Sequence, residues 1–216
     1  MKKNLTDMIF ILDRSGSMSG LESDTIGGFN SMLEKQRKED GEANVTTVLF
    51  DNRIDIIHDR FDIKDVKAMT DRDYFVGGST ALLDAIGSSI RKEINVQRHL
   101  PEESRAEKVI FVIITDGYEN SSKAYSYRQI KKMIEHEQEK YGWEFIFMGA
   151  NIDAVAEGGR LGISAQRSVT YCADEIGTGL NFCVVGETLS KMREGTISKD
   201  DASWKSAIEE DYKRRG

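Results

Sequence analysis

Two stretches of the chain are continuously apolar, Met8-Ile9-Phe10-Ile11-Leu12 and Val109-Ile110-Phe111-Val112-Ile113-Ile114. Runs this short and this rich in β-branched residues predict strands covered on both faces, as in a parallel sheet with helices above and below. Val45 to Phe50 and Ile54 to Ile57 flank Asp51-Asn52-Arg53. Asp and Asn suit a tight turn, so this segment predicts a hairpin. Trp143 to Met148 and Ser168 to Cys172 read as two further strands. Helical spacing fills the intervals. Ile26, Phe29, Met32 and Leu33 share one face, and Leu82 or Leu83, Ile86, Ile90 and Ile94 share another. Tyr127, Ile130, Met133, Ile134 and Tyr141 form a third stripe, and Leu180, Cys183, Val184 and Met192 a less regular fourth. Each stripe is read as facing a core. Alternating strands and helices predict an α/β fold: a doubly wound, mostly parallel six-stranded sheet with one antiparallel strand and helices on both faces.

No internal repeat or low-complexity segment interrupts this pattern. After about Gly195 the chain turns polar. Residues 1–195 are therefore read as the domain and 196–216 as a polar C-terminal tail, partly helical over Ser203 to Lys213, with Lys213, Arg214 and Arg215 solvated. With 39% hydrophobic and 31% charged residues, the chain has the make-up of an ordinary globular protein. Its formal charge of −7 disfavours nucleic acid, whose binding is driven by counterion release on neutralising phosphates. The only cysteines, Cys172 and Cys183, lack the close spacing of a zinc or redox motif and are expected as reduced core residues. His58, His99 and His136 are scattered, with no metal spacing, and are read as surface or structural. The apolar run that ends at Asp13 is too short for a signal segment or a membrane span, so no membrane partner and a cytoplasmic location are expected.

Three polar segments carry candidate chemistry. The first strand runs into Asp13-Arg14-Ser15-Gly16-Ser17-Met18-Ser19-Gly20, and the Val109 strand into Thr115-Asp116-Gly117. Gly77-Gly78-Ser79-Thr80 lies just ahead of the second helix. Open α/β sheets bind ligands beyond the carboxyl ends of their strands, where the strand order reverses. Two carboxylates and several hydroxyls are hard oxygen donors, suited to Mg²⁺, Mn²⁺ or Ca²⁺ rather than to metals that prefer nitrogen and sulfur.

Asp-x-Ser-x-Ser after the first strand, the Thr of Gly-Gly-Ser-Thr and the Asp of Thr-Asp-Gly resemble the metal-ion-dependent adhesion site of von Willebrand factor A domains. The five matching positions are Asp13, Ser15, Ser17, Thr80 and Asp116. The resemblance continues through Ala81-Leu82-Leu83-Asp84-Ala85-Ile86-Gly87 and Phe145-Ile146-Phe147-Met148-Gly149-Ala150. It spans roughly residues 5 to 195 and is nearest to stand-alone bacterial and phage members. It implies that the serines and the threonine reach the metal, Mg²⁺ first, and that the aspartates act directly or through water. It also implies that a protein partner's Asp or Glu fills the open position, in a binding module, adaptor or assembly factor rather than an enzyme. A Mg²⁺-dependent phosphohydrolase and a component of an RNA-associated complex are the competing readings. Neither a phosphate-binding loop nor a dinucleotide fingerprint is present.

Several neighbours of the motif remain open between two roles. Arg14, Met18, Ser19, Tyr118, Glu119, Asn120 and Tyr125 either touch a partner or form a solvated rim. Asp153 is a helix N-cap or a site residue, and Asp84 is expected to favour the positive end of its helix.

Overall fold

The two apolar runs become the central strands of a six-stranded sheet in a computed structural model that describes residues 1–216. β1 (Lys2–Asp13) and β4 (Ala106–Asp116) lie side by side and parallel. The strand order is β3-β2-β1-β4-β5-β6, with β2 (Glu42–Phe50), β3 (Ile54–Asp62), β5 (Glu144–Ala150) and β6 (Ser168–Tyr171). Only the β2–β3 hairpin pairs antiparallel. The chain winds outward from β1 to one side and from β4 to the other. The strand order thus reverses between these two neighbours, opening a crevice at their carboxyl ends.

Side chains alternate across β1 because successive strand residues point to opposite faces. Met8, Phe10 and Leu12 enter one core, with Phe29, Met32 and Leu33 of α1 (Glu22–Arg37) and Phe182, Val185 and Leu189 of α5 (Glu175–Glu194). Ile9 and Ile11 enter the other core. There they meet Leu82, Ile86 and Ile90 of α2 (Leu82–His99) and Ile130 and Ile134 of α3 (Tyr127–Tyr141). Phe29 is fully buried and sits edge-on to Phe10, with ring centroids 5.3 Å apart. No helix is long and apolar enough to cross a membrane.

The sheet and the four expected helices match the reading of the sequence, with longer strands than the apolar runs alone mark. α4 (Ala154–Leu161) was marked in the sequence only by Asp153 as an N-cap candidate. It is only eight residues long and contains Gly158-Gly159, so its periodicity is too short to register. The polar C-terminal segment is partly helical, as expected, but it is docked on the core instead of solvated. A single turn at Ser203–Lys205 leads into α6 (Ser206–Arg215), and Trp204 and Ile208 are buried in the α1–α5 core. Arg215 is not a free cation: it pairs with Asp211 and, at 2.5 Å, with Asp174. Cys172 and Cys183 are both free thiols, but Cys183 is exposed and Cys172 half-buried, so neither is a core residue. Cys183 sits on the outward face of α5, one residue past the buried Phe182. Tyr141, at the end of the third stripe, is exposed.

Candidate metal centre

Asp13, Ser15, Ser17, Thr80 and Asp116 converge at the crevice. Asp13 ends β1 and is almost fully buried. The chain then makes one tight turn over Gly16–Met18, which brings the Ser15 and Ser17 hydroxyls to 3.2 Å of each other. The Thr80 hydroxyl donates to Ser15 Oγ at 3.0 Å from the start of α2. Ser17 Oγ donates to the carbonyl of Asp116 at the end of β4. Three chain segments far apart in sequence thus bring three hydroxyls to the Asp13 carboxylate and the Asp116 main chain, and the Asp116 carboxylate borders the same crevice as Ser17.

The carboxylates are held in distinct ways. Asp13 Oδ1 accepts the Ser15 N–H at 2.7 Å, and Oδ2 accepts the Thr115 hydroxyl at 2.6 Å and the Asp116 N–H at 3.3 Å. Tyr74 donates its hydroxyl to the Asp13 carbonyl at 2.5 Å. Asp116 Oδ1 accepts from the Asn151 amide. Burial pushes the pKa of Asp13 up, opposed by hydrogen bonds from Thr115, Ser15 and Asp116. Burial also raises Asp116, opposed by the Asn151 hydrogen bond. Desolvated carboxylates whose ionised form is disfavoured gain from a nearby cation.

The donor set fits a small hard cation. In an octahedron with metal–oxygen distances of about 2.1 Å, neighbouring oxygens stand about 3.0 Å apart. The Thr80–Ser15 and Ser15–Ser17 separations of 3.0 and 3.2 Å match that edge. A polar groove of about 660 Å³ opens beside these groups, walled by Ser17, Ser19, Asp24, Asp116, Asn151 and Asp174 among others.

The neighbouring loops resolve into mostly structural parts. Asn120 holds the Thr80 segment by a two-way bond: its side-chain oxygen accepts the Thr80 N–H at 2.9 Å and its own N–H donates to the Thr80 carbonyl at 3.0 Å. Glu119 accepts backbone N–H groups of Leu83, Ser121 and Ser122. Asp84 lies in the first turn of α2, where a carboxylate meets the positive end of the helix, as the sequence suggests. Its carboxylate accepts the N–H groups of Lys123, Ala124 and Tyr125, tying down the loop after β4. Arg14 is buried between Asp51 and Asp55, with its guanidinium 4.8 Å from the Phe75 ring, and Met18 is buried too. Asp153 is the N-cap of α4, accepting from Ala156 N–H at 2.9 Å. Tyr118 and Ser19 remain exposed beside the crevice. His58 is buried against the Thr47 hydroxyl at 2.9 Å.

Sequence reasoning passed over Asn151, Thr115 and Tyr74. Asn151 follows β5 and adopts a left-handed backbone (φ 55°), a conformation Asn tolerates better than most residues. A polar residue of that type at the carboxyl end of a strand was the available signal.

No family model matches the sequence, and a comparison with curated proteins finds no match. Solved structures do match. Proximal thread matrix protein 1 from the mussel byssus has a TM-score of 0.57 at 14% identity, over 89% of this chain and 47% of that one. One structure of that protein is described as having a zinc-occupied MIDAS motif. The ArnB paralog VWA2 from Sulfolobus acidocaldarius has a TM-score of 0.53 at 16% identity, over 88% of this chain and 45% of that one. A von Willebrand factor type A protein from Catenulispora acidiphila has a TM-score of 0.53 at 12% identity, over 92% and 43%. The chain spans about half the length of these proteins. Their common architecture is that of the six-stranded sheet here: the chain has the von Willebrand factor A fold.

Proposed function

We propose that Asp13, Ser15, Ser17, Thr80 and Asp116 bind a divalent cation, Mg²⁺ ahead of Mn²⁺ or Ca²⁺, and that the bound metal takes an Asp or Glu of a protein partner as an outer ligand. The observation that carries this reading is the meeting of three hydroxyls at octahedral-edge spacing with two buried carboxylates, next to an open groove. The zinc in the mussel protein's motif supports a metal at this place in the fold. Zinc also accepts oxygen ligands at about 2.0–2.2 Å, so its presence there is compatible with a hard-donor site. With the aspartates acting through water, the direct ligands are neutral hydroxyls, which leave most of the cation's charge uncompensated. The metal therefore retains affinity for an anionic oxygen from outside.

The protein acts as a binding module, as an intracellular adaptor or assembly factor, and not as an enzyme. Supporting this, the next carboxylates in these loops, Asp84 and Glu119, are engaged by backbone amides rather than free to move protons. The free thiols, one of them exposed, suit a reducing compartment such as the cytoplasm.

Calorimetric titration with Mg²⁺ and Mn²⁺ tests the metal. Asp13→Ala is expected to abolish binding, and Asn151→Ala, which frees the Asp116 carboxylate, to weaken it by about 10-fold or more. Capture of partner proteins should require Mg²⁺ and fail both in EDTA and with Asp13→Ala. Capture that persists in EDTA would overturn the adhesion reading. Metal-dependent turnover of phosphate esters, lost in Asp13→Ala, would replace it with a hydrolase.

A further inference from the structure

A second cavity, of about 580 Å³, lies at the opposite end of the sheet, between α2, α3 and the amino ends of β4 and β5. It sits roughly 23 Å along β4 from Asp116 at about 3.3 Å per residue. Its apolar walls are Ile94 from α2, Val109 from β4, Met133 from α3, and Trp143, while Gln97, Glu102, the half-buried Arg105 and Glu107 line its outer part. Trp143 is buried and stacked on Phe111, with ring centroids 5.7 Å apart, which fixes its plane. The volume is in the range of small-molecule sites, about 300–1,000 Å³, and such sites pair apolar walls with few polar groups.

Of the charged residues that line it, Glu137 is the one that is buried. It lines the cavity, is only 4% exposed, and its carboxylate oxygens are not sealed from the cavity space. Its carboxylate accepts no hydrogen bond, and the charges of His136, Lys140 and Arg98 act on it without direct contact. Arg98, Lys132 and His136 stand on the exposed rim, where solvent screens them. A buried carboxylate without a partner is costly, and Glu93 and Glu157, the other buried glutamates, both have hydrogen-bond donors.

We propose that this cavity binds a small hydrophobic amine, its ammonium paired with the Glu137 carboxylate and its apolar body against Trp143, Met133 and Ile94. Burial raises the pKa of Glu137 despite the rim cations, and an ammonium in the cavity would offset that cost. Charge selects the ammonium end. The cavity's apolar volume selects a body larger than a short alkyl chain.

The 216-residue chain is titrated with phenethylamine and with 2-phenylethanol, its uncharged counterpart, following the amide resonances of Ile94, Met133, Glu137 and Trp143. The amine is expected to shift these resonances and to bind at least about 10-fold more tightly than the alcohol, a difference of about 1.4 kcal/mol. Glu137→Gln keeps the shape and removes the charge. It should abolish the preference for the amine while leaving the alcohol unchanged. Equal binding of amine and alcohol to the native protein overturns the proposal without any variant. So does a Glu137→Gln protein that retains the preference, or the absence of shifts at these four residues.

Discussion

At the scale of single residues, buried charge is where this molecule is most sensitive to solution conditions. Asp7 on β1 and Glu93 on α2 are both buried and share the Gln97 amide, at 2.8 and 2.6 Å. Asp7 is further held by Asn44 at 2.6 Å and by Arg60 at 3.3 Å. Burial first, and then the Asp7 charge, push Glu93 from an ordinary value of 4.5 up to about 8. The folded protein therefore keeps a proton on Glu93 that the unfolded chain releases above about pH 4.5. The stability this proton contributes is fully present below that pH. It falls as pH rises through about 8, by at most about 1.4 kcal/mol per pH unit. Glu93→Gln supplies a permanent neutral donor and removes the slope. Urea unfolding at pH 5, 6, 7 and 8 should show the variant gaining on the native protein as pH rises. Parallel profiles would mean that Glu93 is ionised in the fold.

At the scale of elements, legibility in the sequence followed periodicity. The central strands and α1, α2, α3 and α5 were readable because their apolar positions recur over many residues. The helical character of α6 was readable over Ser203 to Lys213 but its docking was not, because two apolar residues four apart, Trp204 and Ile208, are all that distinguish it from a solvated charged segment. Its seat is tertiary. Trp204 Nε1 donates to the Gln166 carbonyl at 2.8 Å, and the buried Lys205 ammonium donates to the carbonyls of Ala165 and Ser168 at 2.7 and 2.9 Å. These bonds cover the short edge strand β6 and the turn before it. The candidate site divides the same way. Its five motif residues carry a spacing that can be read, whereas Asn151, Thr115 and Tyr74 matter only because the fold brings them to Asp13 and Asp116. If α6 belongs to the core, Trp204→Ala costs about 3–5 kcal/mol, in the range for a buried aromatic. Tyr212→Ala, on the more exposed face, costs about 0.5 kcal/mol or less. Denaturant midpoints of the two variants distinguish a docked helix from a free tail, for which neither would change.

At the scale of the whole molecule, the question is whether the two halves of the sheet need a metal to meet. Segments after β1 and β4 and before α2 are already joined by protein hydrogen bonds: Thr115 to Asp13, Thr80 to Ser15, Ser17 to Asp116, and the Asn120 pair to Thr80. Some 51 buried hydrophobic side chains in two core layers hold the sheet independently of that junction. A metal at the crevice would therefore add to an existing fold instead of creating it. Ligand binding to the folded state alone stabilises by about 2.7 kcal/mol when the free cation is at 100 times its dissociation constant. For a chain of this size each kcal/mol moves the midpoint by about 2–4 °C, so saturating Mg²⁺ should raise Tm by about 5–10 °C. EDTA should reverse the shift and leave the far-ultraviolet circular dichroism unchanged. Asp13→Ala should show the same secondary structure with no response to Mg²⁺. A Tm that stays flat up to about 10 mM Mg²⁺, Mn²⁺ and Ca²⁺ would mean that the five oxygens serve only each other. Loss of secondary structure in EDTA would mean instead that the hydrogen-bonded junction does not stand without the ion.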